Sequence, residues 1–402
     1  MGYRAEELFE EPNALARHYS RFRVQDRILL TGHSHQAWPD YAREGQLAAW
    51  DDAARLTDDK WAAAFAQAER VERGFAERLG DGESLRRGDS SYALASCVHD
   101  LLVRFLSALP LRGRPKLVTT DGEFHSLRRQ LTRLEEEGVE IVRVRSEEPD
   151  GIAEALAEAV CDRTAAVLAS SVLFQSGRIV PGLGHACAAS RRCGAEFVVD
   201  AYHQVNVVPF DIHSEGLTEA HVVGGGYKYC QLGEGNCFLR VPAGRKPRPV
   251  ITGWFAEFER LEKAPRGGVA YGVGAAAYGG ATYDPTSQYR ASRVFDFLDD
   301  EGLTPTFLRQ VSQHQVRLLA RCFDQIDLDP ETVRRPQHDL TSQGGFLVLT
   351  APKAAELTQQ LRQREVWVDS RGDALRLGPA PYLSDRQIRD AIGQLGELAR
   401  TL

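Results

Sequence analysis

The chain lacks what a membrane, a nucleic acid or an oxidising compartment would demand. No stretch approaches the run of about 18 uninterrupted apolar residues that a membrane-crossing helix needs, so no membrane partner is expected. There is no basic excess: the net charge is −7, which leaves no broad cationic surface for nucleic acid or anionic lipid. The seven cysteines are odd in number, scattered and never spaced C-x-x-C, which suits free thiols in a reducing cytosol. His185, Cys187 and Cys193 follow Pro181 in a helical stretch, but their spacing is not that of a zinc site. There is no internal repeat, no low-complexity tail, no G-x-S-x-G nucleophile elbow and no dinucleotide fingerprint after the first strand. The opening stretch "MGYRAEELFEEPNALARHY" is acidic and helical in pattern and does not read as a signal peptide. The expectation is a cytoplasmic protein.

What is present is an ordinary globular composition, 43% apolar and 26% charged, on 402 residues, enough for two or three domains and a large core. Between about residues 90 and 240, short apolar runs alternate with helical patterns. "KLVTT" (116–120), "VEIVRVR" (139–145), "AAVLASS" (165–171), "EFVVDA" (196–201) and "AHVVGGG" (220–226) read as buried strands. "SLRRQLTRLEEEG" and "GIAEALAEAV" between them have helical periodicity, and Gly138 suits a C-terminal cap. This alternation predicts an α/β fold with a mostly parallel sheet, helices on both faces, and ligands beyond the carboxyl ends of the strands. From about 285 the pattern changes to long helices, then "GGFLVLTA", a helix over 354–364 and "VWVDSRGDALRLGPAPY", which predicts a smaller α+β domain. The glycine-rich stretch 266–285 reads as a linker or active-site loop. The division expected is an N-terminal segment 1–45 that packs on the small domain and lines the entry to the site, a large ligand-binding domain 46–284 and a small C-terminal domain 285–402.

The stretch "GGGYKYCQLGEGN" (224–236) sets Lys228 between two tyrosines on a glycine-flanked turn after an apolar strand. A phosphate-binding loop would need Ser or Thr after the lysine, and Tyr229 stands there. The other candidate is a lysine that forms a Schiff base with a carbonyl cofactor. Asp200 closes the preceding strand, with His203 three residues on. A carboxylate ending a buried strand needs a cationic partner, and a protonated pyridine nitrogen is one that fits. Each residue alone has a plainer reading: Asp200 capping a turn or pairing with an arginine, His203 a structural hydrogen-bonder, Lys228 a solvated lysine. Together, on successive strand ends, they point to pyridoxal phosphate (PLP).

D-x-x-H at Asp200–His203, Y-K-Y at Tyr227–Tyr229, "GWF" at 253–255 and "VDSRGDALRLGPAPY" at 368–382 resemble kynureninase, in the class V aminotransferase group of fold type I PLP enzymes. "ALASCVHDLL" (93–102), "EFHS" (123–126) and "SSVLFQSG" (170–177) extend the resemblance in the family's order. The resemblance implies a mostly parallel, seven-stranded-type sheet flanked by helices. It implies that Lys228 carries PLP as a Schiff base and then moves the Cα proton, that Asp200 holds the pyridinium proton, and that His203 contacts the phosphate or its neighbours. Leu94 and Ala95, through backbone N–H groups, and Ser96 would bind phosphate at a helix N-terminus. Phe124, or His125 one residue on, would stack on the ring, and Ser170, or Ser171, would reach the cofactor. Tyr227 and Trp254 would reach the phosphate, Tyr227 also donating a proton. Arg376 would grip the substrate α-carboxylate. Thr282 would cross to a partner subunit's phosphate, which implies a homodimer with shared active sites. His33 and His35, in "LTGHSHQAWPD" (30–40), would line the substrate pocket. Two apart on a strand they would face one side, but without a third ligand no metal is expected.

The implied activity is hydrolytic Cβ–Cγ cleavage of kynurenine or a related γ-keto amino acid. The sequence departs from the family where the substrate's aromatic ring would sit. "AARLTDDKW" (53–61) has no histidine, Glu257 in "GWFAE" stands where a histidine is expected, and "GGATYDP" lacks the usual asparagine. The alternative is another class V reaction, transamination or β-elimination. Desulfuration is disfavoured, because no cysteine precedes "RLGPAPY" in the C-terminal loop. A binding protein without catalysis is argued against by Asp200, Lys228 and Arg376 occurring together.

Overall fold

The structure, a computed structural model, describes residues 2–263 and 267–402. Met1, which opens the N-terminal segment, and 264–266, where the glycine-rich stretch begins, lie outside the described residues. The opening stretch forms two short 3-10 turns, Ala5–Leu8 and Ala16–His18, rather than the α-helix its pattern predicts. Pro12 has no N–H to continue a helix, and the Asn13 amide donates to Leu8 O (2.6 Å) and Pro381 O (2.9 Å) instead. The segment continues into a two-residue strand, β1 (Ile28–Leu29), paired in parallel with Val366 and Trp367. Helices α1 (Tyr41–Leu56), α2 (Lys60–Arg78) and α3 (Gly82–Arg87) follow.

The large sheet has seven strands: β2 (Ser90–Ala95), β3 (Lys116–Thr120), β4 (Glu140–Val144), β5 (Thr164–Ser170), β6 (Glu196–Asp200), β7 (His221–Gly225) and β8 (Cys237–Pro242), in the order β2-β8-β7-β6-β5-β3-β4. Only β8 runs against its neighbours. Helices α4 (Val98–Ala108), α5 (His125–Glu136), α6 (Ile152–Ala159) and α7 (Leu183–Arg192) connect the strands. Alternate residues of each strand enter different cores, as period-two side chains must. Val118, Val167, Val199, Val222 and Phe238 belong to one apolar cluster, and Leu117, Leu168, Val198, Val223 and Leu239 to the other.

The smaller α+β part comprises α8 (Thr286–Asp300), α9 (Pro305–Asp324), β9 (Leu347–Thr350), α10 (Ala354–Gln363), β10 (Val366–Trp367), β11 (Asp369–Arg371), β12 (Ala374–Leu377) and α11 (Asp385–Ala399). Strands β11, β12 and β9 form an antiparallel sheet. Ser384 caps α11 with Gln387 reciprocating, so the last helix begins at a capping box. Among the described residues, no helix is long and apolar enough to cross a membrane.

Candidate active site

Strands β5, β6 and β7 end in Ser170, Asp200 and the glycines before Lys228, and all three ends open on one cavity of about 300 Å³. The turn after β7 is built for close approach: a Cβ on Gly225 would press into Tyr202 and Cys237, and one on Gly226 into Leu232. Lys228 is therefore held deep, 6% exposed, with Nζ 2.7 Å from His203 Nε2 and 4.6 Å from the centre of the Tyr202 ring. Burial pulls its amine down to about 7, against the opposing charge of Asp200. His203 is held well below its ordinary pKa, first by burial and then by the charge of Lys228, so it is a neutral acceptor for the amine. Its ring proton then lies on Nδ1, a buried atom with no partner among the described residues.

Asp200 Oδ1 accepts the Tyr202 N–H at 2.9 Å. Burial pushes its carboxyl up, while that hydrogen bond and the Lys228 charge pull it back. Ser170 donates through its N–H (3.1 Å) and Oγ (2.6 Å) to Glu123, which also accepts from Thr120 Oγ1 at 2.6 Å. Glu123 escapes a reading of the sequence. Burial pushes this carboxyl up to about 7, against those hydrogen bonds, and the nearby Asp200 charge adds to the rise. Its only sequence signal is a carboxylate just beyond the end of β3, immediately before the expected ring-stacking residue.

Of the paired alternatives, Phe124 and Ser170 line the cavity. His125 stacks edge-on against Phe174, 5.4 Å between centroids, and Ser171 turns back to Asp200 O. Phe124 lies 5.7 Å from Lys228 Nζ, as does the ring of Tyr227. Burial pushes the Tyr227 phenol up to about 12, so it keeps its proton. Ser96, Cys97, Val98 and His99 bring the uncapped start of α4 to the same cavity.

Several of the expected residues lie outside the lining of the Lys228 cavity. Leu94 and Ala95 do not open a helix: they close β2, paired with Phe238 and Cys237, and line a neighbouring cavity. Thr282 lines that neighbouring cavity too, which meets the first at Ser96 and Gly235. Trp254 is exposed in a 3-10 stretch, Trp254–Lys263, and does not line the Lys228 cavity. His33 and His35 do not share a face, because the chain turns between them. His33 is fully buried against Asp369, and His35 is exposed and stacked on Tyr227, 4.9 Å between centroids. Arg376 does not itself line the cavity but is buried beside it, with one N–H left on each of Nη1 and Nη2. It sits behind Phe174, whose carbonyl accepts from Nη1 at 2.7 Å, and its Nε–Nη2 edge is taken by Asp369.

Comparison with known proteins agrees with this architecture. A lysine-to-alanine variant of C-DES with glycine covalently linked to the PLP cofactor superposes with a TM-score of 0.80 at 15% identity, over 95% of this chain and 98% of that one. The cystine C–S lyase C-DES with its product cysteine persulfide gives 0.77 at 14% identity, over 93% and 98%. The apo cysteine desulfurase of Thermococcus onnurineus NA1 gives 0.76 at 14%, over 97% and 98%. The chain thus shares the fold of these solved structures, the fold type I architecture. More narrowly, residues 308–395, within the small domain, match the family model of the kynureninase C-terminal domain. No curated protein matches the chain.

Proposed function

We propose that the chain is a PLP-dependent enzyme that removes the Cα proton of a small amino acid and expels a substituent from Cβ, a β-eliminating lyase. The observation that carries this reading is Lys228, a buried amine brought down to about 7, in one cavity with the strand-ending carboxylate of Asp200. The residues present fit the cofactor. Asp200 Oδ2 takes no hydrogen bond from any described residue and is free for a pyridinium N–H. Phe124 offers a ring face, Ser170 a hydroxyl, and the uncapped start of α4 offers amides to a phosphate. Bound PLP supplies the electron sink that makes a Cα–H acidic and lets a β-substituent depart.

The chain's own groups divide the remaining work. Lys228, poised near neutrality, takes the Cα proton, and His203 holds the amine in place at 2.7 Å. The Tyr227 phenol, still protonated, donates to the departing group. Arg376, with His33 and Asp369 behind it, receives the α-carboxylate. Elimination is favoured over sulfur transfer because the only cysteine after Cys237 is Cys322, on α9, so the C-terminal loop before Arg376 carries no thiol to accept sulfur. Elimination is also favoured by the full-length likeness to a cystine C–S lyase. A second reading, kynureninase-type hydrolysis, is supported by the match over 308–395 and by Y-K-Y at 227–229. The enzyme is a homodimer with shared sites, the neighbouring cavity at Thr282 being where a partner would complete the phosphate end.

The test is to load the purified protein with PLP and supply cystine and kynurenine separately. Pyruvate and ammonia released from cystine without an added 2-oxo acid support elimination. Alanine and anthranilate from kynurenine establish the hydrolase instead, and a requirement for a 2-oxo acid establishes an aminotransferase. Failure to take up PLP overturns all three.

A further inference from the structure

Asp369 and Arg376 face each other across β11 and β12. Arg376 grips the carboxylate edge-on, with Nε to Oδ1 at 2.7 Å and Nη2 to Oδ2 at 2.6 Å, while Nη1 donates to Phe174 O at 2.7 Å. A guanidinium carries five N–H groups, so one remains on Nη1 and one on Nη2. A buried ion pair keeps a fixed geometry only if its spare lone pairs find donors. Here the extra donor comes from the far end of the chain. Thr31 bridges Gly378, bringing His33 beneath β12, and His33 Nε2 donates to Asp369 Oδ1 at 2.9 Å.

His33 is 0% exposed and its ring lies against Phe346, 4.7 Å between centroids. Phe346 also faces the ring of His203 at 5.5 Å and the Arg376 guanidinium at 5.8 Å, so the assembly abuts the Lys228 site. Because Nε2 must donate to a carboxylate, Nδ1 is bare, and it has no partner among the described residues. Burial, joined by the Arg376 charge and opposed by the Asp369 hydrogen bond, brings the imidazole down to about 4. At neutral pH His33 therefore donates as an uncharged ring and does not compete with Arg376 for the charge of Asp369.

We infer that His33 is a positioning residue for carboxylate recognition: by fixing Asp369 it holds Arg376 with its remaining Nη1 and Nη2 hydrogens free for the α-carboxylate of an amino acid. This rests on the reading of the site as a PLP-dependent amino-acid site. It also gives Asp369 a role, as the resident carboxylate that locks one edge of the guanidinium so that the substrate meets only the other.

The test uses the PLP-loaded full chain and two ligands, alanine and ethylamine, which differ at Cα by the carboxylate. Dissociation constants are read from the change in cofactor absorbance. His33→Leu is expected to weaken alanine about tenfold or more, the loss of a hydrogen bond to a charged group, and to leave ethylamine unchanged. His33→Gln, which restores one N–H donor, is expected to recover most of the difference. With a turned-over substrate the loss falls on KM rather than kcat. An alanine-to-ethylamine ratio unchanged in His33→Leu overturns the inference while leaving the site reading intact; wild-type protein that takes up no PLP overturns the reading itself. Should His33→Leu fail to fold by thermal melting, Asp369→Asn replaces it and must compress the same ratio, and an unchanged ratio there is equally fatal.

Discussion

Lys228 has no carboxylate within ion-pair distance among the described residues; its nearest polar partner is the neutral ring of His203. An ammonium in that position is unfavourable, which is why the amine falls from an ordinary 10.5 to about 7. The sign of the consequence is fixed. Below about pH 7 the amine is protonated and has no lone pair to attack a carbonyl; above it, the free amine predominates. The rate at which apo protein takes up PLP is expected to rise with pH and level off with a midpoint near 7, and Lys228→Ala is expected to remove the covalent component altogether. A midpoint above 9 would return Lys228 to the ordinary solvated kind. Glu123 gives a second residue-scale prediction, read on the apo protein. Its carboxyl is raised from 4.5 to about 7 in the folded chain, so its contribution is neutral below 4.5 and destabilising as pH rises through 7. Glu123→Gln removes that penalty, so melting temperatures should favour the variant more at pH 8 than at pH 5; a pH-independent difference would mean that Glu123 does not titrate in this range. Lys228 and Asp200 are legible in the sequence because each stands at the end of an apolar run. Glu123 and the His33–Asp369–Arg376 chain are not, because their partners are set by register and by contacts across 47 and 336 residues.

At the scale of elements, five of the seven sheet strands are legible because they are short apolar runs between turns, and they alone carry Ser170, Asp200 and Lys228 to one edge. The two that escape, β2 and β8, share a physical reason. β8 contains Arg240, which reads as surface; in the fold it is 1% exposed, with Nε and Nη2 on Asp81 at 3.0 and 3.1 Å and Nη1 on the carbonyls of Thr218 and Ala220. Asp81 in turn accepts from Ser90 and Tyr92 of β2 at 2.7 and 2.8 Å. One buried ion pair thus binds the far edge of the sheet to the loop after α2, and no local pattern reveals it. Arg240→Leu strands the Asp81 charge and is expected to cost about 3–5 kcal/mol in denaturant unfolding. Asp81→Asn together with Arg240→Leu should recover part of that loss, since no unpaired charge remains; a single variant that loses less than about 1 kcal/mol would show that water reaches the pair.

For the whole molecule, the change in pattern near 285 falls where α8 begins, at Thr286. The particular partners of the N-terminal segment are visible only in three dimensions: Asn13 on Pro381, β1 on β10, Thr31 on Gly378 and His33 on Asp369 on one side, and Tyr19 Oη on Gln231 and Gln36 N–H on Tyr227 O on the other. The surface beyond the cavity carries the remaining prediction. Val250, Ile251, Trp254, Phe258 and Val273 are all exposed, and they adjoin: the Trp254 and Phe258 rings lie 5.3 Å apart, Gly272 N–H donates to Ala256 O, and Tyr271 Oη to Pro249 O. Large apolar side chains gathered on one exposed face are a surface that another chain covers. Beside it lies the cavity of Thr282, which shares Ser96 and Gly235 with the Lys228 site. Sedimentation at micromolar concentration is expected to give about twice the 44.6 kDa chain mass, because an apolar face of this kind drives self-association. Trp254→Glu with Val273→Glu should shift the protein to monomer and, because the Thr282 cavity then lies open, weaken PLP binding in step. A monomeric wild type that holds PLP fully would show that one chain completes the site alone, and would leave this apolar face to some other partner.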